Sequence, residues 1–303
     1  MYHSVLDDPR ECADSIGLCN THSRASFSKQ MEILARSYHP VTVEDIRLFL
    51  SGQKTMPREA VVVTFDDGYA DNFEVAAPVL NRVGIPGSFY LSVEAVESGS
   101  PPWFCHLRHA FLTTRKGWWS DRNGRVWGLA NERERQAALQ AASEYLTRFV
   151  GVAQQPVLQA IQQDLEAEPL ATKKSLMMTW EQAKGLHRTG HRVGSHGLTH
   201  PNMACIGDED LNYELTESKR RMEKALAMEI THFSYPAAAL NVSWTERTVA
   251  ATKRVGYQTA VTTTAGLVGP HASPLALCRL GSPDDLDEFR WKLQYASAHY
   301  STS

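Results

Sequence analysis

Short apolar runs alternate with polar, turn-rich segments along the chain, and their period switches between strand and helix. The clearest run is Val61-Val62-Val63-Thr64-Phe65, which stops abruptly at Asp66-Asp67-Gly68. Three consecutive valines predict a strand buried on both faces, as in a parallel sheet. Residues 1–5 predict an earlier strand, and residues 7–26 a polar loop. A capped helix is expected from Ser26, a strand fragment at Val41-Thr42, and a short helix over 43–50. After the valine run, residues 73–83 read as a helix closing at Gly84, with Asp71-Asn72 as its cap, and 87–93 as the next strand. Strand, helix, strand at this spacing is a βαβ unit with a right-handed crossover.

Residues from about 98 to 175 break that rhythm. They hold helix-prone stretches at 131–150 and 156–168 and the pair Trp118-Trp119, which fits either packing of the segment or stacking on sugar rings. Alternation then resumes. Helices are predicted at 179–186, 208–228, 244–256 and 285–298, and strands at 191–195, 231–236, 257–262 and 275–280. The Glu and Lys/Arg pairs of 208–228 read as a solvated face. The whole predicts one domain over residues 1–303, an α/β barrel carrying a helical insertion on its rim.

Composition narrows the classes. Hydrophobic content of 43% and charged content of 21% over 303 residues are ordinary for a globular chain. A net charge of −3 gives no electrostatic case for nucleic acid or anionic membrane. No run approaches the roughly 18 apolar residues of a membrane span. No basic segment followed by an apolar one marks a signal peptide, so a cytoplasmic location is expected. An upstream leader is left open, because the chain starts directly in a strand. Cys12, Cys19, Cys105, Cys205 and Cys278 are scattered and form no CxxC pair, which argues for reduced thiols.

Two stretches carry candidate chemistry. Asp66 and Asp67 stand where a buried strand ends, the edge at which α/β folds place their sites. Alone the pair also fits a helix cap and a solvent-facing side chain. The second stretch is Gly194-Ser195-His196-Gly197-Leu198-Thr199-His200-Pro201, with two histidines four apart, read as a helical turn. Joined to the aspartates it offers His-His-Asp, a set that holds a catalytic divalent ion and leaves positions open.

Thr64-Phe65-Asp66-Asp67-Gly68-Tyr69, with Gly190-His191-Arg192-Val193-Gly194-Ser195-His196-Gly197-Leu198-Thr199-His200-Pro201, resembles the polysaccharide deacetylases. This is the NodB-homology group, carbohydrate esterase family 4. The resemblance spans most of the chain apart from the insertion. It implies a distorted (β/α)7 barrel and metal-dependent removal of an N-acetyl group from an amino sugar in a polysaccharide, oligosaccharide or glycoconjugate. It makes Asp66 the general base toward a metal-activated water, and Asp67, His196 and His200 the ligands. Zinc is the first choice of ion, with cobalt, nickel or iron also fitting the donors.

Phe233-Ser234-Tyr235-Pro236 is similar to the third motif of the branch that deacetylates exopolysaccharides, which implies an oxyanion donor in the backbone N–H of Tyr235. Arg279, in Leu277-Cys278-Arg279-Leu280, resembles that branch's late-strand arginine and is expected to orient Asp66. The usual late Leu-x-His is missing and His271 is not placed to replace it. His3, in Tyr2-His3-Ser4-Val5, resembles the branch's N-terminal strand and becomes the candidate general acid. Ala237-Ala238-Ala239 stand where an aromatic and a glycine are usual, which leaves substrate preference open. Two other functions compete: a deacylase for a small N-acyl or imide substrate, and a non-catalytic carbohydrate-binding barrel. The second has little use for all four of Asp66, Asp67, His196 and His200.

Overall fold

Five strands form one parallel sheet in strict chain order: β1 (Val63–Phe65), β2 (Gly87–Leu91), β3 (Arg192–Ser195), β4 (His232–Ser234) and β5 (Thr259–Val261). The computed structural model describes residues 1–17, 20–170, 175–237 and 242–299; Cys19, Ala238 and Ala239 lie outside them. Two further segments flank the sheet. Tyr2 bridges in parallel to Phe65 of β1, and Leu277 to Val261 of β5. The backbone N of Met1 then donates to Leu280 O at 2.9 Å, and Ser282 N–H to Met1 O at 3.1 Å. The first and last staves thereby meet, and the sheet curls into a distorted (β/α)7 barrel, the architecture that the resemblance implies.

Outside the sheet, Phe65 and Phe89 stack at 4.6 Å, with Tyr2 on Phe65 at 5.5 Å and Phe27 of the helix Arg24–Ser37 edge-on at 5.8 Å. Full burial of each such ring contributes about 1.5–3 kcal/mol. This cluster joins β1, β2 and the N-terminal segment, which fixes the strand ends where the aspartates stand.

Several boundaries differ from the expectation. The valine run divides: Val63 begins β1, whereas Ala60–Val61 pairs with His39–Pro40, so the early strand fragment falls before Val41. The helix after the aspartates starts as a π turn, Asn72–Ala76, before the α segment Ala77–Val83. Pro78 has no N–H to give to the preceding turn, and a wider turn absorbs the missing bond.

The insertion contains helices Trp103–Thr113, Glu132–Leu146 and Gln154–Asp164, with an antiparallel hairpin of Trp118–Ser120 and Val126–Gly128. It has its own apolar cluster, in which Leu107, Phe111, Trp119, Leu146 and Ile161 are buried. Trp119 meets Phe111 edge-on at 5.2 Å and so packs the insertion, while Trp118 is 61% exposed.

Candidate active site

The barrel gathers the sequence candidates at one end of the sheet. Asp66 continues β1, its N–H donating to Tyr2 O at 3.1 Å. Alternation along a strand would send Asp67 to the opposite face. Instead Asp67 adopts a left-handed backbone with φ +75°, a strained state for most residues that aspartate tolerates. Both carboxylates are consequently buried in the same mouth.

β3 delivers His196, whose N–H donates to Leu91 O at 2.8 Å. The predicted helical turn to His200 does not form. Gly197 has φ +81° and His200 φ +60°, so the segment is an irregular loop. Its conformation is imposed from outside by Glu214, on the helix Asp208–Leu226. One carboxylate oxygen of Glu214 accepts from Leu198 N–H at 2.8 Å and Thr199 N–H at 3.1 Å; the other accepts from Thr199 Oγ1 at 2.6 Å. These bonds satisfy a fully buried carboxylate, whose pKa burial nevertheless raises. A β-carbon at Gly197 would come within 3.0 Å of Met203 Cε and 3.5 Å of Glu214, which leaves glycine the fitting residue.

The sequence reading missed Glu214 by assigning its helix's charges to a solvated face. The signal was its place on the apolar stripe, three residues after Leu211 and beside Leu215, all buried.

Asp67 Oδ1 lies 3.4 Å from His196 Nε2 and 3.3 Å from His200 Nε2. Two ligands each at the usual zinc distance, seen at a tetrahedral angle, are about 3.3 Å apart. The spacing therefore fits three donors on one ion. His196 Nδ1 faces Ser234 O at 2.8 Å, so the assigned proton sits on Nδ1 and the Nε2 lone pair faces Asp67. Electrostatics agree with the geometry. Burial opposes charge on His196, but Asp66 and Asp67 outweigh it and raise its pKa. On His200 burial wins and the pKa falls. On Asp67 the two imidazoles overcome burial and hold the carboxyl well below its ordinary range. Among the described residues this cluster is the one His/Asp group of this kind.

Asp66 has a different partner. Arg279 Nη1 donates to Oδ1 at 2.9 Å and Nη2 to Oδ2 at 2.7 Å, a bidentate buried pair. The remaining guanidinium donors reach Thr262 O, Thr64 Oγ1 and Ser234 Oγ. Burial pushes the Asp66 carboxyl up, but the charges of Arg279 and His196 and the guanidinium hydrogen bonds hold it at about 2. Asp66 stays ionised, and each oxygen keeps a lone pair for a further donor. His3 lies in the same field: burial lowers its pKa, while Asp67 and Asp66 pull the other way.

Two expectations are corrected. The N–H of Tyr235 is not free for an oxyanion, since it donates to Val261 O at 3.1 Å and extends the β4–β5 ladder. The Tyr235 hydroxyl points away to Thr252 Oγ1 and Leu275 O. Pro236 is buried, its Cγ 3.5 Å from where a β-carbon on Gly197 would stand. Asp71 and Asn72 are not helix caps by their side chains. Asp71 accepts from Ser4 Oγ at 2.7 Å and Val5 N–H at 2.9 Å, and Asn72 Nδ2 donates to His3 O at 2.6 Å. Their polar groups tie the N-terminal segment that carries His3 to the start of the helix after the aspartates.

A parallel barrel with a buried Asp-His-His cluster beside an arginine-bound aspartate places a cation site next to an ionised carboxylate, an arrangement suited to hydrolysis. The family model for polysaccharide deacetylase matches residues 53–260, and the chain belongs to that family of carbohydrate deacetylases. YxkH of Bacillus subtilis (strain 168), which carries a polysaccharide deacetylase name, is 21% identical over 281 residues, 92% of this chain and 69% of its own. In fold the chain is similar to the Streptococcus pyogenes deacetylase PplD in complex with acetate. That likeness has a TM-score of 0.64 at 17% identity, over 98% of this chain and 95% of that one. The chain is also similar to IcaB from Ammonifex degensii, with a TM-score of 0.61 at 18% identity over 97% and 94%.

Proposed function

We propose that this chain is a metal-dependent hydrolase that removes the acetyl group from an N-acetylated amino sugar. The observation that carries the reading is the division of labour between adjacent aspartates: Asp67 between two imidazoles, Asp66 in the grip of Arg279. Asp67, His196 and His200 would hold a divalent ion, zinc first by its donor set, with cobalt, nickel and iron as alternatives. Such an ion supplies a Lewis acid for the acyl carbonyl and brings the pKa of water toward neutrality. Asp66 accepts the proton of the attacking water through the lone pairs that Arg279 leaves free. Arg279 keeps that carboxylate ionised and fixes its direction. His3 gives the proton that the departing amine needs. Ser234 O and Glu214 hold the imidazoles in register, one by a ring hydrogen bond and the other through the loop.

The test is elemental analysis together with acetate release from chito-oligomers, β-1,6-linked glucosamine oligomers and acetylated monosaccharides. The expected result is one divalent ion per chain and acetate from at least one substrate. The Asp67→Asn variant should lose the ion and turnover together. An Asp67→Asn chain that kept its ion in full would remove the ligand assignment.

A further inference from the structure

The two histidines of the metal cluster are held by different parts of the molecule. His196 belongs to the barrel, its Nδ1 facing Ser234 O at the end of β4. His200 has no such bond, since its Nδ1 finds no partner among the described residues. The straps on the intervening loop end one residue before it. Glu214 takes the N–H groups of Leu198 and Thr199. From the helix Val93–Ser98, Val93 N–H donates to Gly197 O at 3.1 Å and Glu94 N–H to Leu198 O at 3.0 Å. His200 nevertheless holds a left-handed backbone, φ +60°, which a residue with a β-carbon adopts only at a cost.

Apart from its fellow ligands Asp67 and His196, His200 takes its directional contacts from the insertion. Trp103 Nε1 donates to His200 O at 3.1 Å in a buried bond. The ring of Phe104 lies 4.8 Å from the His200 imidazole, tilted at 56°. Both aromatics open the helix Trp103–Thr113, whose start Pro101-Pro102 stiffens. Trp103 is 4% exposed and belongs with Leu107 and Phe111 to the insertion's own core, which fixes its N–H as a donor. Phe104 packs on that core and on the neighbouring cluster of Tyr69, Ala95 and Met177. A metal-binding imidazole is ordinarily aimed by a hydrogen bond at its second nitrogen, and losing that partner typically lowers affinity roughly 10–100-fold. For His200 a ring face and a backbone bond take that part.

We propose that Trp103 and Phe104 are positioning residues for His200, so that the insertion helps to set the ion affinity of the barrel. The inference rests on the metal-site reading and deepens it, giving the insertion a task at the cluster itself.

Two variants separate the contacts. Trp103→Phe keeps a ring and removes the donor; Phe104→Leu keeps apolar bulk and removes the ring face. Trp119→Phe is the control, a buried tryptophan of the same core whose ring meets Phe111. Zinc affinity, by competition with a chromogenic chelator, should fall about tenfold in each of the first two and stay at the parent value in the control. The visible spectrum of the cobalt-loaded chain should shift in both toward that of His200→Ala, which a loss of stability alone would not produce. Parent affinity and spectrum in both variants, or an equal loss in Trp119→Phe, overturns the proposal. Reaction with diethyl pyrocarbonate, followed at each histidine by tandem mass spectrometry, reads the metal-free chain. His200 should react faster in the two variants than in the parent, with His196 unchanged. Equal rates at His200 reject the positioning role whatever the ion does. A parent that binds no zinc, with variants that unmask His200, keeps the positioning role and rejects the metal reading.

Discussion

The barrel mouth and the insertion use polar side chains in opposite ways. In the mouth almost every polar group is committed: Arg279 reaches five acceptors, Glu214 takes three donors, and His196 Nδ1 is bound to Ser234 O. On the insertion helix Gln155, Gln159 and Gln162 line a cavity, and among the described residues their carboxamides have no hydrogen-bond partner. The difference reflects what chemistry demands. It needs donors and acceptors fixed before substrate arrives, because reorganisation during the reaction adds to the barrier. Carboxamides on the surface of the insertion have no such demand on them.

That contrast can be broken or sharpened by substitution. The largest effect belongs to the mouth, where Asp67→Asn should abolish ion binding and turnover together. Next stands Glu214→Gln, which keeps the shape but replaces two charge-assisted acceptor oxygens with one acceptor and one donor. Ion affinity should fall about 10–100-fold, with acetate release restored by excess metal, as measured by competition with a chelator. If affinity were unchanged, the loop would not depend on its carboxylate strap.

A smaller effect concerns the strand of His3. Burial raises Asp71 from 3.8 to about 7, against the bonds from Ser4, Val5 and Asn72. Between those values the folded chain holds a proton that the unfolded chain has released. Stability should therefore fall as pH rises through that window, and Asp71→Asn should flatten this part of the Tm-against-pH curve. An unchanged slope would show that Asp71 does not titrate there.

Much of the mouth was legible in the sequence because strand-forming runs end in the residues that do the chemistry. Val63-Thr64-Phe65 before Asp66 and Val193-Gly194-Ser195 before His196 each mark a strand and its exit. What stayed hidden depends on contacts between distant segments. The left-handed backbone at Asp67 and His200 is imposed by the loop's surroundings and leaves no periodic trace. Glu214 looks like any surface glutamate until its stripe is followed. Tyr235 was misassigned because a motif does not show that its N–H is already paired with Val261 O. The cavity exists only where the insertion meets the catalytic loop, so neither segment reveals it alone.

The central claim is that the two neighbouring aspartates have separate duties, and Asp66→Asn tests it most directly. Metal content and acetate release should be measured on the same preparation. One ion per chain, with turnover reduced by about 100-fold or more, is the result expected of a lost proton acceptor beside an intact metal site. Full turnover, or loss of the ion along with the carboxylate, would contradict it.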